Sequence, residues 1–270
     1  MRRALGWFEE VESRCSRFDA SSELSELCRR PGERVAVSPL LFHVLEIAVA
    51  VAQASGGAFD PTVGAALRRA GFDRNYRDGA AAPQFVGSAG GTFRDIGLNV
   101  DSRTVTLARP VALDLGGVAK GFAIDLAVRE LAPFQDFAIN AGGDLFLRGM
   151  NGAGQPWRIG IRDPQAPDSI LGAVEATNVA VCTSGGYERR DRLGHGHHLL
   201  NPSTGRSPSQ TVSVTAIGPT AALADAASTA AFVLGGKRGL RFLQGSGLEG
   251  LIVSRDGARL TTPGFPELMS

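Results

Sequence analysis

Asp114-Leu-Gly-Gly-Val-Ala-Lys-Gly-Phe-Ala-Ile-Asp125 is the stretch from which the rest of the chain can be read. An apolar run, Pro110 to Leu113, leads into it. The pattern predicts a strand that breaks at Gly116-Gly117 and a helix from Phe122. Glycines let a backbone come close to phosphates, and helix N-terminal N–H groups favour negative charge. Lys120 adds a point charge. Asp114 is placed to accept from a ribose or base, or to help hold a metal. The stretch therefore predicts an anion cradle. It is not a Walker A loop, since Gly-Phe follows Lys120, and it is not the GxGxxG fingerprint. Alone, it equally fits a tight turn with a surface lysine.

Outward from this turn, helices and strands mix without regular βα alternation. Leu5, Phe8, Val11 and Cys15 lie at helical spacing within Leu5–Arg17. Ser21 or Ser22 caps a short helix to Cys28, and a long helical pattern, Pro39–Ser55, stops at Gly56-Gly57. Gly71–Gly91 reads as a loop, and Ile96–Leu107 as a hairpin turning at Asp101-Ser102. Phe122–Leu131 is a helix, with strands Phe137–Asn140 and Leu145–Leu147 around a glycine turn. Further strands are predicted at Trp157–Ile161, Ala173–Glu175, Val179–Cys182 and Thr211–Ile217. Helices Ala221–Val233 and Gly239–Gly245 and a strand, Gly250–Ser254, complete the pattern. The class is α+β, with mixed or antiparallel sheets and packed helices.

Composition narrows the function. Lys+Arg number 28 against Asp+Glu 27, a net charge of +1, which argues against a nucleic-acid or membrane-surface binder. Cys15, Cys28 and Cys182 are odd in number and lack CxxC spacing, so they read as free thiols and no zinc site. No apolar signal-peptide core follows Met1-Arg-Arg, and Val44–Ala54 is too short to span a bilayer. As written, the sequence reads as cytoplasmic, or as periplasmic if its start is truncated.

Two groupings carry chemistry. Asp225 and Thr229 are four apart on a predicted helix and share a face. Their oxygens suit a hard cation such as Mg²⁺, although a helix-start Asp and a Thr bonding to its own turn have the same spacing. His195, His197 and His198 crowd a second stretch. On an extended segment His197 and His198 point opposite ways, and no Cys or Glu partner sits at zinc spacing, so metal ligation and solvated loop histidines both remain open.

Further blocks stand in chain order around the opening turn. They are Gly-Gly-Ala-Phe-Asp-Pro-Thr-Val-Gly (56–64), Ile-Asn-Ala-Gly-Gly-Asp (139–144) and Thr-Ser-Gly-Gly-Tyr-Glu-Arg (183–189). His-His-Leu-Leu-Asn-Pro-Ser-Thr-Gly (197–205) and Ala-Asp-Ala-Ala-Ser-Thr-Ala-Ala-Phe-Val-Leu-Gly (224–235) follow. From about Phe18 to Gly235 the chain resembles the ApbE family of flavin transferases, which split FAD and attach FMN to a threonine of a target protein. The resemblance implies two closely fused lobes with the flavin site between them, and one such domain over residues 1–270. It implies FAD as substrate, Mg²⁺ as cofactor and an acceptor protein as partner.

Carried over residue by residue, Asp225, Thr229 and the Gly117 carbonyl hold Mg²⁺, with Ser228 assisting. His198 is the base that takes the acceptor's proton. Phe59, Asp60, Asp114, Lys120, Asn140, Gly142, Gly143, Thr183, Ser184 and Leu199 surround FAD. The chain departs from the family at Asn201, where Asp is usual, and at Gly186, where Asp or Asn is usual. A first strand containing Met-Gly-Thr is also missing. If residue 201 only caps a turn, Asn serves; if its charge orients the histidine, activity suffers. FAD hydrolysis to FMN and AMP, and FAD binding without catalysis, are the alternatives.

Overall fold

The computed structural model describes residues 1–269 apart from 76–78, 80, 83–89, 167 and 191–195. His195 and much of the Gly71–Gly91 loop reading lie outside the described residues. Helix α1, Arg2–Cys15, buries Ala4, Val11 and Cys15, while Leu5, expected on that face, is 62% exposed. Ser22 caps α2, Glu23–Cys28, by accepting from the Ser25 N–H at 3.0 Å. After β1, Arg34–Ala36, Ser38 caps α3, Pro39–Ala54, which ends at Gly56 and Gly57. Short α4, Gly64–Arg69, follows. The expected hairpin is β2, Ile96–Asn99, paired with β3, Thr104–Leu107; β1 joins it in the order β1-β3-β2.

The second half builds the larger sheet. Helix α5, Ala119–Glu130, leads to β4, Phe137–Ala141, and β5, Asp144–Arg148. A separate hairpin, β6, Trp157–Arg162, and β7, Ile170–Ala176, comes next. Then come β8, Val179–Gly185, β9, Thr211–Gly218, α6, Ala221–Leu234, and α7, Gly236–Gly245. Strands β10, Glu249–Ser254, and β11, Arg259–Thr261, close the chain. The six-stranded order is β11-β10-β9-β8-β5-β4, each pairing antiparallel. The fold is α+β, with antiparallel pairing between all named strands.

Helix α6 stands between two cores. Ala222, Ala226 and Ala230 pack into one cluster, with α3 and the small sheet. Ala221, Ala224, Ala227 and Ala231 pack into the other, against the large sheet. A helix that turns small apolar residues to two sides is held between two cores. Its alanines keep it thin enough for both cores to close on it, which fixes the position of Asp225 and Thr229.

The opening turn differs from its sequence reading in one respect. Pro110–Leu113 joins no sheet. Its backbone instead bonds the 61–64 segment: Gly64 N–H donates to Ala112 O at 3.0 Å, and Asp114 N–H to Pro61 O at 2.7 Å. Val111, Ala112 and Leu113 are buried. Burial makes such a run apolar whether or not a ladder partner exists, so the pattern looked like a strand.

Helix α5 begins at Ala119, earlier than Phe122, and Lys120 lies in its first turn. Gly121 meets the start of α6 with no space to spare: a Cβ there would stand 2.3 Å from Ala221 O and 2.7 Å from Ala222 N. These are backbone atoms, which cannot swing aside as a side chain does. Gly121→Ala is therefore expected to destabilise by about 3 kcal/mol. In a thermal melt the Tm should fall by roughly 6–12 °C; an unchanged Tm would contradict the packing described. Asp125 seals the same junction. Its carboxylate accepts from Ala221 N–H at 2.7 Å and Ala222 N–H at 2.9 Å, capping α6 where Thr220 does not.

Candidate active site

A cavity of about 1130 Å³ opens between the segment around Phe59, the first turn of α5, the β4–β5 turn and the end of β8. Every residue carried over from the family, except Ser228, lines it. It is somewhat larger than a usual small-ligand site of ~300–1,000 Å³.

At one end lie Asp225 and Thr229. Asp225 is 6% exposed, and its Oδ2 accepts from Gly121 N–H at 3.2 Å. A Cβ on Gly117 would stand 3.4 Å from Thr229 Oγ1 and 3.2 Å from the Phe59 ring, so the Gly117 backbone abuts both residues. Ser228 faces away from the cavity. It is fully buried, with its hydroxyl donating to Asp225 O at 2.8 Å and lying 2.7 Å from Ser184 Oγ. Ser184 in turn lies 3.1 Å from Thr229 Oγ1. Ser228 thus holds the residues that face the cavity and offers it no oxygen.

Lys120 brings two carboxylates together. Its ammonium pairs with Asp144 Oδ2 and lies 3.7 Å from Asp225 Oδ2. Asp144, at the start of β5, also accepts from Thr183 N–H at 3.1 Å through Oδ1. The sequence marked Asp144 as the end of a glycine turn, and the family resemblance made that turn a wall of the flavin pocket, with no ion pair foreseen. Its contacts with Lys120 and Thr183 arise when the antiparallel sheet sets β5 beside β8 and α5 packs across them.

These residues suit a divalent cation by the chemistry of their donors. Asp225 and Thr229 offer hard oxygens on one helix face, and the region already attracts a cationic ammonium. Among the described residues no cluster of three or more His, Cys, Asp or Glu could hold a metal. One or two carboxylates with substrate phosphates completing the shell are donors that a hard cation such as Mg²⁺ would accept.

The expected backbone cradle is largely spent inside the protein. Gly116 N–H donates to Asp114 Oδ1 at 2.9 Å, Val118 and Ala119 N–H to Leu115 O, and Gly121 N–H to Asp225. The cationic group at this turn is the Lys120 ammonium, which is itself engaged by Asp144 and lies near Asp225. Asp114 pairs its Oδ2 with Arg17 Nε, and Arg17 also donates to Phe72 O at 2.6 Å and stacks 4.1 Å from the Phe18 ring centroid. Arg17 lines the cavity too. No spacing rule linked Arg17 to Asp114 in the sequence. Asp60 commits both oxygens, one to Thr62 at 2.9 and 2.8 Å and one to Phe93 N–H at 3.0 Å. It anchors the wall near Phe59.

The remaining walls follow the sequence closely. Gly142 and Gly143, with φ of 63° and 96°, form the β4–β5 turn, closed by Gly143 N–H donating to Asn140 Oδ1 at 3.0 Å. Thr183 pairs with Thr215 across β8–β9 at 2.9 Å. Leu199 is 7% exposed and joins the core beneath.

The two described histidines point apart. His197 packs edge-on to Phe232 at 5.2 Å, with Nε2 3.1 Å from Pro208 O. A Cβ on Gly186 would stand 2.8 Å from the His197 ring, so glycine there leaves room for it. His198 lines the large cavity, with Nδ1 3.4 Å from Arg189 O and Phe72 edge-on at 6.4 Å. Burial, with help from Arg189, pushes His198 down to about 4 from its ordinary 6.5. The imidazole is neutral at pH 7 and able to accept a proton. With Nδ1–H directed at Arg189 O, Nε2 carries the lone pair. Asn201 does not contact it through any described bond. Its Oδ1 accepts from Ser203 N–H at 3.0 Å and Ser203 Oγ at 2.7 Å, a turn cap that needs no charge.

Cys15, Cys28 and Cys182 are free and buried. Burial raises Cys15 to about 12 and Cys28 to about 11, so both are inert thiols. Among the described residues no helix is long and apolar enough to cross a membrane.

Comparison with known proteins identifies the family and the fold. The model of the ApbE family matches residues 1–252. A protein named FAD:protein FMN transferase from Rhodobacter capsulatus is 35% identical over 241 residues, 86% of this chain and 46% of that one. The chain thus spans about half the length of that relative. The Vibrio cholerae protein of the same name is 28% identical over 97% of this chain and 80% of its own. Among solved structures, the ApbE protein of Thermotoga maritima superposes with a TM-score of 0.87 at 32% identity, covering 98% of this chain and 89% of that one. The flavin transferase ApbE of Vibrio cholerae gives 0.84 at 26% identity, over 98% and 88%.

Proposed function

The chain belongs to the ApbE family, and on that footing we propose that it transfers the FMN moiety of FAD to a threonine hydroxyl of an acceptor protein. The carrying observation is that one cavity gathers a neutral histidine, a partly exposed lysine and an Asp–Thr oxygen pair from segments far apart in the chain. Residues 1–270 act as one catalytic unit in this reading.

The roles divide by position. Asp225, Thr229 and the Gly117 carbonyl would hold Mg²⁺. A bound divalent ion supplies neutralisation of phosphate charge and of the leaving group. Lys120 attracts the pyrophosphate as a point charge. The aromatic face of Phe59 and the β4–β5 turn enclose the flavin. His198 Nε2 takes the proton as the threonine oxygen forms its bond to the FMN phosphorus, and the pyrophosphate bond breaks to release AMP.

The test is incubation with FAD and Mg²⁺, with and without a threonine-containing acceptor domain. AMP and flavin-linked protein that form only with acceptor are the expected result. AMP without acceptor would mean hydrolysis, and tightly held FAD without AMP would mean binding alone.

A further inference from the structure

Lys120 is poised between two demands. Its ammonium pairs with Asp144 and lies 3.7 Å from Asp225, and the side chains of these two acids are only 3% and 8% exposed. Both acids are fixed from behind by backbone donors, Asp144 by Thr183 N–H and Asp225 by Gly121 N–H. The lysine side chain is 39% exposed, so it can leave without unpacking the core. Two nearby buried carboxylates repel each other unless a cation intervenes. The protein therefore carries a built-in cation where the Asp225–Thr229 pair would take a divalent one.

We propose that Lys120 is the internal counter-ion of this acidic pair, that a divalent cation displaces it, and that the displaced ammonium turns to the pyrophosphate of FAD. This rests on the reading of FAD and Mg²⁺ given above. Cation loading and FAD capture then reinforce each other, because each supplies what the other makes Lys120 give up. By linkage the reinforcement is mutual. The engaged N–H groups of the 116–121 turn add to this: with much of the backbone cradle spent, capture of the phosphates depends on where Lys120 points. Lys120 is in this sense a positioning residue for the cation as well as a ligand for the substrate.

The test is titration of the full chain with Mn²⁺ alone, by calorimetry, for the wild type, Lys120→Met and Lys120→Arg, repeated with FAD present. Removing a cation about 4 Å from a carboxylate should tighten Mn²⁺ binding by ~10-fold or more in Lys120→Met without FAD. Lys120→Arg keeps the charge and should stay near wild type. Added FAD should tighten Mn²⁺ binding in the wild type and do so less in Lys120→Met. A thermal melt checks folding, and Lys120→Gln replaces the Met variant if that one unfolds. Mn²⁺ binding in the neutral variants that equals or falls below wild type overturns the proposal. If the wild type binds Mn²⁺ and FAD while the neutral variants are not tighter, the counter-ion idea alone fails. If the wild type binds neither, the functional reading fails with it.

Discussion

Asp225→Asn is expected to lower FAD turnover by about 10³-fold, because it removes the charge from the Asp225–Thr229 oxygen pair while keeping an acceptor for Gly121 N–H. Cation stabilisation of transferring phosphate is worth several kcal/mol, and each ~1.4 kcal/mol is tenfold in rate. Asparagine is the informative change. Alanine would also cut the bond that ties α6 to α5, and so confuse a lost fold with a lost site. The variant should melt near the wild type while turnover collapses. Excess chelator should reduce the wild type to a similar level. Full turnover in chelator would refute the cation reading outright, and full turnover of Asp225→Asn would move the cation elsewhere.

The second large effect belongs to His198. A general base contributes about 10²–10⁴-fold, so His198→Ala should lose that factor in transfer while FAD still binds. His197→Ala should behave differently. That ring is packed against Phe232 and the Pro208 carbonyl, so its loss should lower the Tm and leave the rate within a few-fold. A dead His197→Ala beside an active His198→Ala would reverse the assignment.

Acidity separates the sequence expectation from the structural one. An ordinary imidazole would lose activity below ~6.5. With His198 pushed down to about 4, the activity limb should lie near that lower value. Stability moves with the same sign: the unfolded chain binds a proton below 6.5 that the folded one refuses until about 4. Stability should therefore decline as the pH falls through that window. An activity limb near 6.5 would show that the imidazole is more hydrated than its position here.

Much of the site was legible because its parts are local. The glycine pair of the β4–β5 turn, the i, i+4 spacing of Asp225 and Thr229, and the opposite facing of His197 and His198 follow from backbone periodicity. Periodicity is a property of sequence. The Asn201 departure was also framed correctly, and the bonds to Ser203 answer it in favour of a turn cap. Pro110–Leu113 was misread because an apolar run records burial, and burial does not specify a ladder partner.

The sequence by itself determined the α+β class, most helix and strand positions, the family resemblance and, through it, a part of the cavity lining. Tertiary structure alone decided three things. It joined Asp144 to Lys120 and Arg17 to Asp114, pairs with no common spacing. It turned Asp125 into the cap of α6 and gave Gly121 its need for no side chain. And it lowered the proton affinity of His198. Each arises from the close approach of segments distant in the chain. Such approach sets electrostatics and steric limits that no local pattern encodes.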